Sequence, residues 1–172
     1  HLQQLKFIQI NTYLEREEDE FLCYIGQNSL SSGKLAAKLL NFALDDKDAV
    51  MILHLEKAVY NSKHLIDKEQ GFKAYFENHQ DKNIKIIKRG FDDVFDKKGL
   101  KQFLSNTFQT NPSIKGIFVT TSKIFHIVPI LEELGLQDIK LGNPDSRSYS
   151  GLFHPRLATH LRAGALKTPC SL

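Results

Sequence analysis

The chain has 172 residues and a mass of 19.6 kDa, which suits one domain, or one domain with part of a second. Hydrophobic residues make up 41% of it and charged residues 25%, which excludes a disordered or collagen-like chain. Its apolar runs are too short to span a membrane, and no secretory leader opens the sequence. The two cysteines stand far apart, so they indicate neither a metal site nor a redox pair.

The net charge of +3 belongs entirely to the end of the chain. Residues 1–141 contain 19 basic and 19 acidic residues, whereas residues 142–172 contain four basic residues and one acid. The main body therefore carries no excess of positive charge that would attract a phosphate backbone. This balance excludes a nucleic-acid-binding surface spread over the body of the protein.

Short apolar strands and amphipathic helices alternate along the body of the chain. The predicted strands, in chain order, are residues 5–10, 21–25, 49–55, 84–87, 114–120 and 139–141. The predicted helices are residues 33–44, 62–79, 97–108 and 123–134, the last one closed by Gly135. This alternation predicts an α/β fold, an open doubly wound parallel sheet with helices on both faces.

The pattern ends at residue 142. Residues 142–172 hold three of the five arginines and three of the five prolines of the chain, but only one of its 18 lysines. Proline and glycine at these positions oppose extended order. We expect either a flexible tail or a segment that is not native to this domain, from a vector or a shifted reading frame. Neither alternative gives the tail a function.

Motifs of catalysis are absent from the sequence. It contains no phosphate-binding loop, zinc-protease motif or nucleophile elbow, and no nucleophile–base pair is evident. His54 and His126 lie in apolar segments and are predicted to be satisfied core or rim groups. Two acidic clusters, within residues 45–48 and 92–96, are predicted to be solvated loops. We therefore expect no enzyme activity, no metal and no cofactor.

Polar residues follow the predicted strands, where open parallel sheets commonly bind ligands. Amides, hydroxyls, charges and one aromatic ring occur there, namely Gln27, Asn28, Ser29, Glu56, Lys57, Arg89, Gly90, Phe91, Thr120, Thr121 and Ser122. Such a set suits a small polyhydroxyl ligand that is hydrogen-bonded and stacked on a ring. The alternative, that strand ends are simply polar, remains open at this point.

Four segments together resemble a known family. They are Tyr-Ile-Gly-Gln-Asn at 24–28 with Gly-Lys-Leu-Ala-Ala at 33–37, Asp-Lys-Glu-Gln-Gly-Phe at 67–72, Arg-Gly-Phe at 89–91 with Gly-Leu at 99–100, and Gly-Ile-Phe-Val-Thr-Thr-Ser at 116–122. Their order and spacing resemble the C-terminal lobe of the periplasmic-binding-protein-like sugar-binding fold. That fold occurs in LacI/GalR-type transcription regulators and in periplasmic sugar-binding proteins. The likeness covers residues 5–141.

The resemblance implies ligand contacts at Asn28, Lys68 and Thr121 or Ser122, to which the strand-end pattern adds Phe91. Each motif position departs from the family preference, which is Asp at 28, Arg at 68 and Asn-Asp at 121–122. Lysine for arginine at position 68 is the largest change, because the planar guanidinium of arginine can donate several hydrogen bonds in a fixed geometry, whereas the ammonium of lysine acts as a point donor. The ligand is therefore expected to differ from a common hexose, unless these positions do not touch it.

The resemblance also implies a division of the chain. Residues 1–20 would be the last strand of a missing N-terminal lobe and the crossing, 21–141 the C-terminal ligand-binding lobe, and 142–172 the atypical tail. The expected function is the sensing module of a cytoplasmic, homodimeric LacI-type regulator with a sugar-like effector, whose DNA-binding region is outside this chain. The alternative is a periplasmic sugar receptor for a transporter or sensor kinase. A small α/β enzyme is a third possibility.

Overall fold

A computed structural model describes four stretches of the chain, and the first two of them as backbone only: residues 7–10, 21–25, 27–57 and 62–143. The predicted crossing between the two lobes and the Arg- and Pro-rich tail beyond Asn143 lie outside the described residues.

The described elements follow the alternating order that the sequence predicts. The strands are β1 (Phe7–Ile10), β2 (Phe21–Ile25), β3 (Ala49–His54), β4 (Lys85–Gly90), β5 (Ile114–Val119) and β6 (Lys140–Gly142). The helices are α1 (Ser29–Ala43), α2 (Lys63–Asn78), α3 (Lys97–Thr110) and α4 (Val128–Glu133), the last preceded by a 3₁₀ turn, Ser122–His126.

The main sheet has four parallel strands in the order β4-β3-β5-β6. All six residues of β3 are buried, as expected for a central strand with both faces covered. Helices α1 and α2 cover one face, where the ring of Phe72 stacks on that of Phe118 with centroids 4.4 Å apart. Helices α3 and α4 supply Leu100, Leu104 and Leu131 to the apolar cluster on the other face. The predicted fold class is confirmed.

Strand β2 is not part of the main sheet. It pairs in parallel with β1 in a separate two-stranded sheet, with Ile10 opposite Ile25. The predicted division of the chain puts residues 21–25 at the start of the C-terminal lobe. In the structure, this strand hydrogen-bonds to β1 and to no strand of the main sheet.

The predicted helix 123–134 is interrupted. A 3₁₀ turn occupies residues 122–126, and α4 begins only at Val128. Pro129 explains the break, because proline has no N–H to donate to the carbonyl of Phe125 and is tolerated only in a first helical turn. Gly135 has a φ of 70°, which confirms the predicted glycine closure of this helix.

Helices α1 and α2 cross where each carries a glycine. A Cβ atom placed on Gly33 would lie 2.0 Å from the carbonyl oxygen of Lys68, and one on Gly71 would lie 2.0 Å from the carbonyl oxygen of Leu30. The two backbones thus approach each other reciprocally, and a side chain at either position would meet main-chain atoms that cannot move aside. The close crossing requires glycine at both positions.

We expect Gly33→Ala and Gly71→Ala each to lower the free energy of unfolding by about 1–3 kcal/mol, the usual cost of overpacking. In an unobstructed helix the same change would raise stability by up to about 1 kcal/mol, so the sign of the effect is informative. Urea unfolding followed by circular dichroism measures it. The exposed neighbours Lys34→Ala and Gln70→Ala are the controls. Stabilisation by either glycine substitution would contradict the close crossing.

Candidate functional site

A cleft of about 270 Å³ lies where α1 and α2 begin, at the carboxyl end of the strands that precede them. Its lining combines amide, hydroxyl, carboxylate, ammonium and imidazole groups with one aliphatic side chain: Gln27, Asn28, Ser29, Leu30, Lys63, His64 and Asp67. Of the residues that the sequence predicts at the ligand site, Gln27, Asn28 and Ser29 line this cleft, whereas Lys68, Phe91, Thr121 and Ser122 do not.

Asn28 is the N-cap of α1, which begins four residues before the predicted start. Its side-chain oxygen accepts a hydrogen bond of 2.9 Å from the backbone N–H of Ser31, as N-cap residues do. The side chain itself is exposed beside the cleft. Since its oxygen serves the cap, Asn28 has its amide nitrogen to offer as a hydrogen-bond donor.

Lys68 and the segment after β5 lie together. Lys68 is only 4% exposed, and its ammonium nitrogen is 3.4 Å from the backbone oxygen of Thr120. Thr121 is buried as well, whereas Ser122 is exposed. The structure therefore brings Lys68 next to the predicted contacts that follow β5. Lys68 and Thr121 are thus buried at the edge of the sheet, and Ser122 is at the surface.

Phe91 is turned toward the core. Its backbone N–H donates a bond of 2.9 Å to the carbonyl of His54, so the residue stands at the sheet edge. Its ring, however, packs on Phe103 of α3, with centroids 5.3 Å apart, and belongs to the apolar cluster under α3 and α4. The ring is half-buried in that packing. We therefore leave Phe91 out of the ligand contacts proposed below.

A buried ionic cluster, which the sequence analysis missed, lies at the same sheet edge. The carboxylate of Glu69 on α2 is within 2.8 Å of both His54 Nε2 and Lys88 Nζ and within 2.5 Å of Lys73 Nζ. The other ring nitrogen of His54, Nδ1, is 3.0 Å from the hydroxyl oxygen of Thr120. This Glu69 cluster ties α2 to β3, β4 and the segment after β5. The prediction that His54 is a satisfied core group agrees with it.

The Glu69 cluster has a defined protonation state at neutral pH. Burial alone would raise the pKa of Glu69, but the hydrogen bonds from Lys73, Lys88 and His54 lower it to about 2. Burial also lowers the pKa of His54, and the bond and charge of Glu69 offset this only in part. His54 is therefore neutral. Because a carboxylate only accepts, Nε2 carries the proton, and Nδ1 accepts a bond from the hydroxyl of Thr120.

Two further contacts hold the loops around the cleft. The ammonium of Lys123 is 2.8 Å from a carboxylate oxygen of Glu56 and 3.2 Å from the carbonyl oxygen of Leu55. The amide nitrogen of Asn143 donates a 2.9 Å bond to the carbonyl of Thr121. The segments after β3 and β6 are thereby tied to the segment after β5. No signal in the sequence indicates these links, since they join residues far apart in the chain.

Over the described stretches, no group of three or more histidine, cysteine or acidic side chains could hold a metal ion. Nor does any described helix combine the length and apolarity that crossing a membrane requires. The residues at the sheet edge are hydrogen-bond donors and acceptors, and those of the Glu69 cluster are already bonded to one another. This arrangement can bind a polar molecule.

We expect the acid stability of the protein to depend on Glu69. Its pKa is lowered from 4.5 to about 2, so its contribution is complete above pH 4.5 and is lost as the pH falls toward 2. A shift of this size corresponds to about 3 kcal/mol. Urea unfolding at a series of pH values should show this loss in the wild type and not in Glu69→Gln.

Glu133→Gln is the control for this experiment, because Glu133 forms an ion pair with Lys101 at the surface. An exposed pair contributes little to stability, so this variant should keep the acid dependence of the wild type. An unchanged acid dependence in Glu69→Gln would contradict the assigned protonation state.

We expect His54 to be neutral at pH 7 with the proton on Nε2. Its pKa is lowered below 6.5, so the unfolded chain binds more protons there, and stability falls as the pH drops from 6.5 through the folded-state pKa. Nitrogen-15 shifts of the imidazole ring distinguish the two tautomers and follow the titration. A proton on Nδ1, or a pKa above 6.5, would contradict the cluster.

Curated protein sequences contain no match to this chain. Among solved structures, a candidate LacI transcriptional regulator from Bacteroides fragilis is 25% identical, with a TM-score of 0.63 over 78% of this chain and 45% of that one. An ABC transporter solute-binding protein from Actinobacillus succinogenes, with bound D-allose, is also 25% identical, with a TM-score of 0.60 over 79% of this chain and 47% of that one.

A third neighbour, an ABC transporter solute-binding protein from Agrobacterium vitis bound to α-D-tagatopyranose, is 21% identical, with a TM-score of 0.64 over 78% of this chain and 46% of that one. The chain spans less than half the length of each of the three. The family model described as the periplasmic binding protein domain matches residues 3–146. The chain therefore belongs to the periplasmic binding protein domain family.

Proposed function

We propose that this chain is the effector-sensing module of a LacI-type transcription regulator and that its effector is a sugar-like small molecule. The observation that carries the proposal is the cleft that mainly polar residues line at the beginnings of α1 and α2, in a member of the periplasmic binding protein domain family. A candidate LacI regulator that is 25% identical to this chain supports the proposal. The neutral charge of residues 1–141 agrees with a sensing module whose DNA-binding region lies elsewhere.

Donors and acceptors in the cleft, and at the sheet edge outside its lining, suit hydroxyl groups. The amide nitrogen of Asn28, the ammonium of Lys68 and the hydroxyls of Thr121 and Ser122 would bind the effector. A sugar hydroxyl both donates and accepts, so it can bond to each of these groups. Neighbours with D-allose and α-D-tagatopyranose bound support this ligand class. Because Lys68 offers a point charge where arginine would offer a planar fork, we infer a ligand bonded there through a single oxygen.

The cleft is one wall of a two-walled site. It is formed by the beginnings of α1 and α2, and this chain spans 45% of the B. fragilis structure. A second lobe would supply the facing wall, and the separate β1–β2 sheet belongs with that lobe in this proposal. The C-terminal lobe would then begin at α1, instead of at residue 21, and run through β6.

Ligand binding between two lobes can control a distant region through closure. A ligand that contacts both walls stabilises the closed arrangement over the open one by its differential affinity. In a cytoplasmic homodimer, such closure would change the spacing of two DNA-binding regions, which is the regulatory step we propose. The hydrogen bonds from Lys68 to the carbonyl of Thr120 and from Asn143 to the carbonyl of Thr121 would transmit the position of the ligand to the sheet edge.

A periplasmic receptor that delivers a sugar to a transporter or sensor kinase is the second candidate. Solute-binding proteins of ABC transporters among the structural neighbours favour it, including the one that carries D-allose and is 25% identical. The gene sequence upstream of His1 discriminates between the two. A helix-turn-helix segment supports the regulator, whereas a signal peptide supports the receptor and overturns our proposal.

We expect calorimetry to detect one or more tight ligands among pentoses, hexoses and disaccharides for the full-length natural protein, and only weak binding for this chain alone. One wall leaves much of a small ligand in water, which costs most of the affinity. Lys68→Met in the full-length protein should weaken binding about 10- to 100-fold, as expected on losing a hydrogen bond to a charged group.

Lys38→Met is the matched control for Lys68→Met, because Lys38 is an exposed lysine on α1. It should leave the affinity unchanged. Sub-micromolar sugar binding by this chain alone would show that one wall suffices and would contradict the two-lobe site. Turnover of phosphate, ester or glycoside substrates by the purified protein would contradict a binding module altogether.

A further inference from the structure

A second and larger groove, of about 490 Å³, lies between α3 and the segment formed by the 3₁₀ turn and α4. Its α3 wall consists of Lys97, Lys98 and Lys101, and its other wall is mainly Phe125, His126 and Pro129. The groove shares no residue with the cleft at α1 and α2. Helices α1 and α2 cover one face of the main sheet, and α3 and α4, which form the groove, cover the other. The ligand site proposed above therefore does not account for it.

Three aromatic rings are neighbours here: Phe125 and the half-buried His126 line the groove, and Phe95 lies beside His126. The ring of His126 lies between Phe125, at a centroid distance of 4.2 Å, and Phe95, at 5.5 Å and nearly perpendicular. Phe95 is 81% exposed and Phe125 47% exposed. Rigid aromatic side chains with this exposure are typical of the centres of protein interfaces, where they supply much of the binding energy.

The charges at the groove are predominantly positive. One of the three lysines, Lys101, is paired with Glu133 at 2.7 Å, and the charge of Lys97 also acts on this carboxylate. Neither Lys97 nor Lys98 forms an ion pair with any residue that the structure describes. The groove thus presents an apolar floor beside two cations that lack a carboxylate partner of their own.

We propose that this groove binds an acidic segment of a partner protein, one that inserts an apolar side chain between α3 and α4 and places carboxylates on Lys97 and Lys98. The rings of Phe95, His126 and Phe125 bury the apolar side chain, and the lysines select the sign of its flanking charges. The groove and the cleft have no lining residue in common, and they lie beside helices that cover opposite faces of the sheet.

A second copy of the chain fits the groove less well. Two grooves facing each other across a twofold axis would bring six lysines together against two glutamates. Asp93 and Asp96, which precede α3, do not line the groove and so would not offset this charge. They accept hydrogen bonds from the backbone N–H groups of Phe95 and Gly99, respectively. Charge complementarity therefore favours a different, acidic partner.

The test measures fluorescence anisotropy of a labelled short peptide in which glutamates alternate with leucines around one phenylalanine. A matched peptide carries lysine at every glutamate position. We expect this chain to bind the acidic peptide, to bind it more weakly at high salt, and not to bind the basic one. Phe125→Ser should weaken binding about tenfold, and the double variant Lys97→Gln with Lys98→Gln about three- to fivefold.

Matched controls come from α1, on the opposite face. Phe42 is 72% exposed, and Lys34 and Lys38 are exposed lysines of the same helix, so Phe42→Ser and the double variant Lys34→Gln with Lys38→Gln should bind the acidic peptide as the wild type does. Circular dichroism verifies that every variant is folded. If Phe125→Ser does not fold, the lysine variant alone decides the matter.

Three outcomes would overturn the proposal. The acidic peptide fails to bind, or the basic peptide binds equally well, or the α1 variants weaken binding as much as the groove variants do. Sedimentation velocity tests one further outcome that would overturn the proposal. If the chain forms a dimer and Phe125→Ser dissociates it, the groove binds a second copy of the chain. None of these results depends on the sugar ligand. The groove proposal can therefore fail while the proposed function stands, and the proposed function can fail while the groove proposal stands.

Discussion

The close crossing of α1 and α2 is the constraint on which the rest of this structure depends. Because neither Gly33 nor Gly71 has a side chain, the two helix backbones touch, and their first turns meet at one edge of the sheet. That meeting forms the cleft. It also fixes the rotation of α2, so that Lys68 and Glu69 are both buried against the strands. The position of the ligand site is thus set by the packing of two helix backbones, and the polar side chains line the cleft that this packing creates.

Burying Glu69 next to this crossing is costly, since a carboxylate loses its hydration in the interior. Three donors, from His54, Lys73 and Lys88, compensate for the loss and hold the carboxylate ionised. Removing any of them would leave a buried charge poorly paired. The cluster therefore joins one helix and two strands firmly at the place where a ligand would bind, and the polar groups of the cleft rest on a rigid base.

Local periodicity was sufficient to predict the main sheet and its helices, because strands β3 to β5 and helices α2 and α3 bury continuous or one-sided apolar patterns. It could not predict which strand pairs with β2, since pairing depends on competition among strands. Nor could it reveal the environment of Glu69. A glutamate four residues before Lys73 is the usual pattern of an exposed helical ion pair, and only the tertiary fold buries it. Likewise, the side on which the ring of Phe91 packs depends on α3, which lies beyond it in the sequence.

The two edges of the main sheet bear on how molecules of this protein can associate. At one edge, β4 carries Lys85, Lys88 and Arg89 among its six residues, and at the other β6 is only three residues long. A short or cationic border resists the addition of another strand, because it offers few free backbone groups or repels an identical border. Lateral growth of the described sheet into a continuous ribbon is therefore disfavoured. For the main sheet, association through its helical layers is therefore favoured over the addition of strands at its borders.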